Sequence, residues 1–211
     1  MIADRRRWLL VGGSPRIAVD AVRFLQARGS GATAKRLREL LAGHGIVCDL
    51  LLSDPAVGAT VYGDRCDLDQ AVRRWIAAHP NGGIALSAAI NDWQVDAVTM
   101  ERDGVAMAIT RDDKAPSAAT ALHVRLVPAP KLIDALRSWG HTGPLVGFKY
   151  EAAATVIGSA QALLLRTGAV AVVANSLTGT VQALVEAQGV QRFPDRSALL
   201  AALAERMAAI A

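Results

Sequence analysis

The chain has 211 residues, enough for one α/β domain with a well-buried core and short for two. With 52% hydrophobic and 20% charged residues it is globular in composition, and no apolar run approaches the ~20 residues that span a bilayer. The net charge of +4 comes without aromatic residues interleaved among basic ones, which argues against nucleic acid and suits small anionic partners. A single cytoplasmic domain over 1–211, with no membrane contact, is therefore expected. Arg5-Arg6-Arg7 reads as a solvated flank. Cys48 and Cys66 lack metal-ligand spacing; Cys48 is expected inside and Cys66 outside. The four histidines are scattered, and His44 and His79 stand where helices should end.

Taken in chain order, apolar runs alternate with helical patterns, the signature of a parallel sheet covered on both faces. Trp8 to Val11 reads as the first strand, stopped by Gly12-Gly13. Ala32 to His44 is helical in spacing and ends at Gly45, and Ile46 to Leu52 is the next strand. A brief strand is expected at Thr60 to Tyr62, then a helix from Leu68 to His79 capped by Asp67. Ile84 to Ile90 is a buried strand. Val98 to Met100 and Val105 to Ile109 flank the turn Glu101-Arg102-Asp103-Gly104 as a β-hairpin. Leu122 to Val127 alternates as a strand, and Pro130 to Trp139 reads as a helix with Pro at its start and Gly140 beyond its end. Leu145 to Phe148, a helix from Ala152 to Arg166 and Ala169 to Ala174 form a strand–helix–strand unit; Val181 to Val185 and a helix from Ser197 to Ile210 close the chain. The expected architecture is α/β, a Rossmann-like three-layer sandwich whose mostly parallel sheet carries a β-hairpin flap.

Ligands of such sheets bind beyond the carboxyl ends of the strands. The residues that fall there are Gly12-Gly13-Ser14, Asn91 and Asp92, Lys149 to Glu151, and Asn175-Ser176. Gly12-Gly13 has neither the dinucleotide-binding nor the Walker spacing, so by itself it is a tight strand exit as readily as a nucleotide turn. A second glycine segment, Gly29-Ser30-Gly31, leads into a helix N-terminus, where backbone N–H groups and the helix dipole can meet a phosphate. Lys114 lies in a polar loop and is either solvated or a cation able to close over a polyphosphate. Asp92 suits a ribose or Mg2+, or simply ends a strand. Trp93 and Trp139 read as packing residues rather than base-stacking platforms.

The ordered set of segments resembles the phosphopantothenate–cysteine ligase family of coenzyme A biosynthesis. Gly12-Gly13-Ser14 looks like that family's G-G-T turn, Val19-Asp20-Ala21-Val22-Arg23-Phe24 like I-D-x-V-R-F/Y, and Gly29-Ser30-Gly31 like S-S-G. Ser87 to Trp93 resembles A-A-A-V-S-D-F/Y, and Lys114 stands eight residues before Leu122, as the family's mobile-loop lysine precedes its next strand. Leu126 to Leu132, Val146 to Glu151 and Val173-Ala174-Asn175 resemble V-P-K-x-L, G/S-F-K-x-E and V-A-N.

The resemblance implies a CTP- or ATP-dependent ligase that uses Mg2+ and joins a phosphorylated carboxylate to the amine of cysteine through an acyl-nucleotidylate. It implies that Gly29, Ser30 and Gly31 hold the triphosphate, with Gly12, Gly13 and Ser14 beside them. Ala88, Ala89, Asp92 and Phe148 would surround the nucleoside, Lys114 would close over the phosphates, and Arg23 and Asn175 would line the acyl side. The family works as a dimer, so a homodimer is expected. The flavin-binding domain often fused ahead of this ligase finds no counterpart before the first strand, so FMN is not expected. Two departures stand out: Ala27 occupies the position of the family's asparagine, and Ser176 replaces the aspartate of V-A-N-D. Alanine has no side-chain hydrogen bond to offer. The alternatives are an amide ligase with other substrates and a catalytically silent nucleotide-binding protein; an oxidoreductase is disfavoured by the missing G-x-G-x-x-G.

Overall fold

The computed structural model describes residues 6–211, so Arg5 of the basic flank lies outside the described residues. Strand β1 (Trp8–Gly12) is wholly buried, and a two-stranded ribbon of β2 (Ile17–Ala18) and β3 (Phe24–Leu25) follows it. Helix α1 (Ala32–Gly43) leads to β4 (Cys48–Leu52) and β5 (Ala59–Val61), and α2 (Arg65–Ala78) to β6 (Gly83–Leu86). An antiparallel excursion, β7 (Trp93–Arg102), β8 (Val105–Ile109) and β9 (Ala121–Pro128), precedes the short α3 (Leu132–Ala135). Then come β10 (Leu145–Glu151), α4 (Val156–Thr167), β11 (Ala171–Ser176), β12 (Gln182–Glu186), β13 (Gly189–Arg192) and α5 (Arg196–Ala209).

The main sheet has the order β13-β12-β11-β10-β6-β1-β4-β5 and is parallel except for β12 and β13 at one edge. After β5 the chain crosses back to the other side of β1, so the strand order reverses between β1 and β6. Alternation along the strands divides the core. Leu10, Leu50, Leu52, Val146 and Val173 pack with Leu37 and Leu41 of α1 and Leu199 and Leu203 of α5. Leu9, Val11, Ile84, Leu145 and Val172 pack with Leu68 and Val72 of α2, Leu132 of α3 and Leu163 of α4. Each such fully buried leucine contributes about 2 kcal/mol. The result is the expected three-layer α/β sandwich. No helix among the described residues is long and apolar enough to cross a membrane.

Several boundaries move, each for a local reason. Helix α2 begins at Arg65 because Asp64 is the N-cap; Asp67, expected as the cap, closes the capping box from the third helical position. Strand β6 stops at Leu86, well short of Ile90: the Ser87 N–H makes the last ladder bond to the Val11 carbonyl, which also accepts from the Ser87 hydroxyl, and the chain then turns so that the Ala89 N–H meets the Gly13 carbonyl. The helix expected at Ala152 begins at Val156, since Glu151 still pairs with Ser176 and the alanines after it must turn the chain. The helix expected over Pro130 to Trp139 is regular only from Leu132 to Ala135; beyond it the Trp139 N–H is shared by the carbonyls of Ala135 and Leu136. The hairpin is longer than expected: β7 starts at Trp93 and turns at Asp103-Gly104, both with positive φ, and β9 pairs with β7 along its length. His44 and His79 occupy helix C-caps as anticipated. Cys66 is exposed, while Cys48 is half-buried, its thiol pushed up to about 12 chiefly by burial.

Candidate active site

A cleft of about 690 Å3 opens over the carboxyl ends of β1, β6, β10 and β11, where the strand order reverses, and its size suits a nucleotide-sized ligand. Two glycine segments form its floor. Gly13 has φ +87, and a Cβ there would lie 2.2 Å from Ser53 Oγ. Its carbonyl accepts from the N–H of Ala89 at 2.8 Å and packs so tightly on Gly29 that a Cβ at 29 would lie 2.6 Å from the carbonyl oxygen. Strand exit, glycine loop and post-β6 segment are thus fastened together. Gly31 caps α1 without a side chain, and the first turn of that helix has no acidic residue.

Of the residues singled out from the sequence, Gly13, Gly29, Ser30, Gly31, Ala88, Ala89, Asp92, Phe148 and Asn175 line this cleft. Gly12 and Ser14 lie beneath the lining. A Cβ on Gly12 would meet that of Ala34 at 2.8 Å, so glycine here lets α1 pack on β1. Ser14 is buried; its N–H donates to Ser53 Oγ and its hydroxyl to the Ala89 carbonyl.

Arg23 and Lys114 belong to a second cluster organised by Asp20. The buried Asp20 carboxylate accepts from the N–H groups of Val22, Arg23 and Ala115 and is ion-paired with Arg23. Burial pushes this carboxyl up, but those N–H groups and the guanidinium outweigh it and bring it down to about 2. Asp20 thereby ties the loop carrying exposed Lys114 to the turn carrying Arg23, and the cluster adjoins the cleft through Gln26, which donates to the Ser14 carbonyl. Ala27 is half-buried in the same segment and does not line the cleft.

The cleft straddles β10. Phe148 packs on the α1 and α5 side, and Tyr150 shares that face by alternation. Lys149 and Glu151 face α4: Glu151 accepts from Ser159 Oγ at 2.6 Å and from Lys149 Nζ at 3.0 Å. The Ser159 bond, aided by Lys149 against the opposing effect of burial, holds the Glu151 carboxyl below its ordinary value. Lys149, Tyr150 and Glu151, expected at a strand end, line the cleft too, as do Lys131, Arg166 and Arg196, to which the sequence assigned nothing. Arg196 was out of reach, because it stands 165 positions after Gly31 and only the packing of α5 beside α1 brings it there. Trp139 lies under the guanidinium of Arg73, 4.0 Å from its ring centre, and Trp93 begins β7 beside Asp92.

No protein-family model matches the sequence, and no curated protein matches it. Solved structures do match. The DNA/pantothenate metabolism flavoprotein from Streptococcus pneumoniae superposes with a TM-score of 0.77 over 97% of this chain and 99% of that one, at 19% identity. A Cab2 mutant in complex with phosphopantothenate-cysteine gives 0.72 over 97% and 85%, at 15% identity. The C-terminal domain of the coenzyme A biosynthesis bifunctional protein CoaBC gives 0.67 over 96% and 91%, at 19% identity. The chain has their fold. At these identities the likeness establishes architecture; what the cleft does has to be argued from its residues.

Proposed function

We propose that the protein is a nucleotide-dependent carboxylate–amine ligase, joining 4′-phosphopantothenate or a close analogue to the amine of cysteine at the expense of CTP or ATP. The observation that carries this reading is convergence. Most of the segments matched one by one to the phosphopantothenate–cysteine ligases, far apart in sequence, meet on one cleft, those of Arg23 and Lys114 excepted, in a chain whose fold matches a structure bound to phosphopantothenate-cysteine.

In this reading the substrate carboxylate attacks the α-phosphorus of the nucleotide and expels pyrophosphate, giving a mixed anhydride. The amine then attacks the acyl carbon, expels the nucleoside monophosphate and loses a proton to form the amide. The glycine loop and the start of α1 present N–H groups to phosphate oxygens, stabilisation of the kind that governs such transfers. Ala88, Ala89, Asp92 and Phe148 enclose the nucleoside. Asn175, buried at the end of β11, faces the acyl group. Arg23 and Lys114 act from the neighbouring Asp20 cluster, Lys114 as the flexible cation that closes over the phosphates.

Among the described residues no cluster of three or more His, Cys, Asp or Glu side chains could cage a metal. That donor set fits Mg2+ arriving with the nucleotide, since Mg2+ binds through phosphates, waters and one or two carboxylates. Asp92, with its side chain 70% exposed, is the carboxylate placed to meet it. Bound there, the ion would neutralise phosphate charge. The exposed Val105, Met107, Leu122 and Leu126 of the antiparallel sheet would supply a homodimer contact.

The experiment is pyrophosphate release with each nucleoside triphosphate, with and without 4′-phosphopantothenate and cysteine. Release should require the carboxylate, and amide should accumulate only when cysteine is added. Release that needs the carboxylate but never gives amide would favour a different amine, the reading to which Ala27 lends weight. No release with any triphosphate overturns the enzyme. Lys114→Ala should lower kcat at least tenfold with an unchanged Tm; an unaltered rate would remove Lys114 from the mechanism.

A further inference from the structure

Arg196 is the first residue of α5 and lines the cleft from the far end of the chain. Its guanidinium Nη2 donates to Thr33 Oγ1 in the first turn of α1. The carboxylate next to it, Asp195, is occupied in capping α5 through the Ala198 N–H at 2.8 Å and does not neutralise it. Arg28 also lines the cleft. Among the described residues no carboxylate pairs with Arg28 or Arg196, and the first turn of α1 has no acid. Arg196 therefore stands at the positive end of a 12-residue helix in which the Ala32 N–H reaches Ser30 Oγ at 3.4 Å while the N–H groups of Thr33 and Ala34 have no side-chain cap. Such an arrangement is repulsive until an anion enters it.

A second observation also points to a ligand. Asn175 is 4% exposed and lines the cleft, and its side-chain carbonyl Oδ1 has no hydrogen-bond partner. Val173, two residues earlier on β11, packs on the α1 and α5 side, so Asn175 faces the same wall. A buried carbonyl oxygen left open among the described residues calls for a donor, and a hydroxyl or amide N–H of a ligand in the cleft can bring one.

We propose that Arg196 grips a phosphoryl group together with the open N–H groups of Thr33 and Ala34, in a ligand that places a hydroxyl or amide N–H on Asn175. The planar fork of arginine suits the oxygens of a phosphoryl group. The C-terminal helix is then part of the binding machinery as well as of the core. The inference rests on the ligase reading, in which two phosphorylated molecules enter the cleft: the nucleoside triphosphate and the phosphorylated carboxylate.

The test is calorimetric titration of the full chain and of Arg196→Gln and Arg196→Lys, using sodium pyrophosphate, CTP, ATP, 4′-phosphopantothenate and pantothenate as separate probes. Arg196→Gln should weaken pyrophosphate at least tenfold, and Arg196→Lys should restore most of it. The physiological source is whichever of triphosphate or 4′-phosphopantothenate loses a comparable factor, while pantothenate, which lacks the phosphoryl group, shifts less than twofold. Thr33→Val keeps both charges and should cost only a few-fold, which separates loss of charge from a loosened α1–α5 contact. Pyrophosphate binding that is absent from the wild type, or that ignores Arg196→Gln, overturns the proposal. So does equal weakening of pantothenate, which would make Arg196 merely structural. Failure of the ligase reading looks different: pyrophosphate keeps its dependence on Arg196, yet no triphosphate is turned over.

Discussion

The two walls of the cleft handle positive charge in opposite ways. On the α3 and α4 side each cation has a carboxylate: Lys149 with Glu151 at 3.0 Å, Lys131 with Asp92 at 3.8 Å, and Arg166 with Asp134. Among the described residues Arg196, on the α1 and α5 side, and Arg28 have no carboxylate, and Arg196 stands beside the open N–H groups of Thr33 and Ala34. A compensated wall leaves little net charge to attract an anion. An uncompensated wall suits an anion. Under the proposed function, the phosphates belong on the α1 and α5 side.

The comparison can be broken at several points. The largest expected effect comes from Gly29→Val, which forces the floor apart at the Gly13 carbonyl. Overpacking of this kind costs about 2 kcal/mol, so thermal melts should fall by roughly 4–8 °C. Nucleotide binding by calorimetry should vanish, and an unchanged affinity would show that the glycine loop is not the phosphate floor. Next is ionic strength. Between 0.05 and 0.5 M salt the affinity for triphosphate should fall about tenfold, as expected of exposed charge, while cytidine or adenosine shifts little. Parallel slopes would erase the distinction between the walls.

Smaller still is Glu151→Gln, which leaves Lys149 unpaired on the compensated wall. Triphosphate affinity should change less than threefold, since exposed pairs are worth ~0–1 kcal/mol. The variant has a sharper signature in acid. Because its carboxyl is held below the ordinary 4.5, Glu151 stabilises the fold above that pH, and the contribution is lost as the pH falls through the lowered folded value. Denaturant melts between pH 5 and 3 should therefore show a shallower acid decline in Glu151→Gln; identical declines would mean that the Ser159 and Lys149 contacts are not maintained in solution.

The sheet was legible because β1, β4, β10 and β11 are buried runs with punctuation at both ends, and a buried strand is written in its own composition. What composition hides is where pairing overrides propensity. Ala152 to Ala154 favour a helix, yet the register of Glu151 with Ser176 holds the chain extended and then turns it. The ribbon of β2 and β3 is two residues deep on each side and carries no periodicity at all. In the cleft, the glycine loop and Asp92 could be found because turn chemistry and strand ends are local signals. Lys131 and Lys149 sat inside recognised segments without a role. The Asp20 cluster, which draws Arg23 and Lys114 away from the lining, depends on a contact 95 residues apart along the chain, between Ala115 N–H and the Asp20 carboxylate.

The bond from the Ala89 N–H to the Gly13 carbonyl joins the two sides of the reversal in strand order. Its consequence lies in timing and entropy. Because that stitch closes while the sheet folds, the floor of the cleft is shaped before any ligand arrives, and the conformational entropy of ordering it is lost during folding rather than at each encounter. A visitor then has only side chains at the rim left to arrange. A strand crossover, usually read as a matter of topology, here acts as a template that is cast once and keeps its shape.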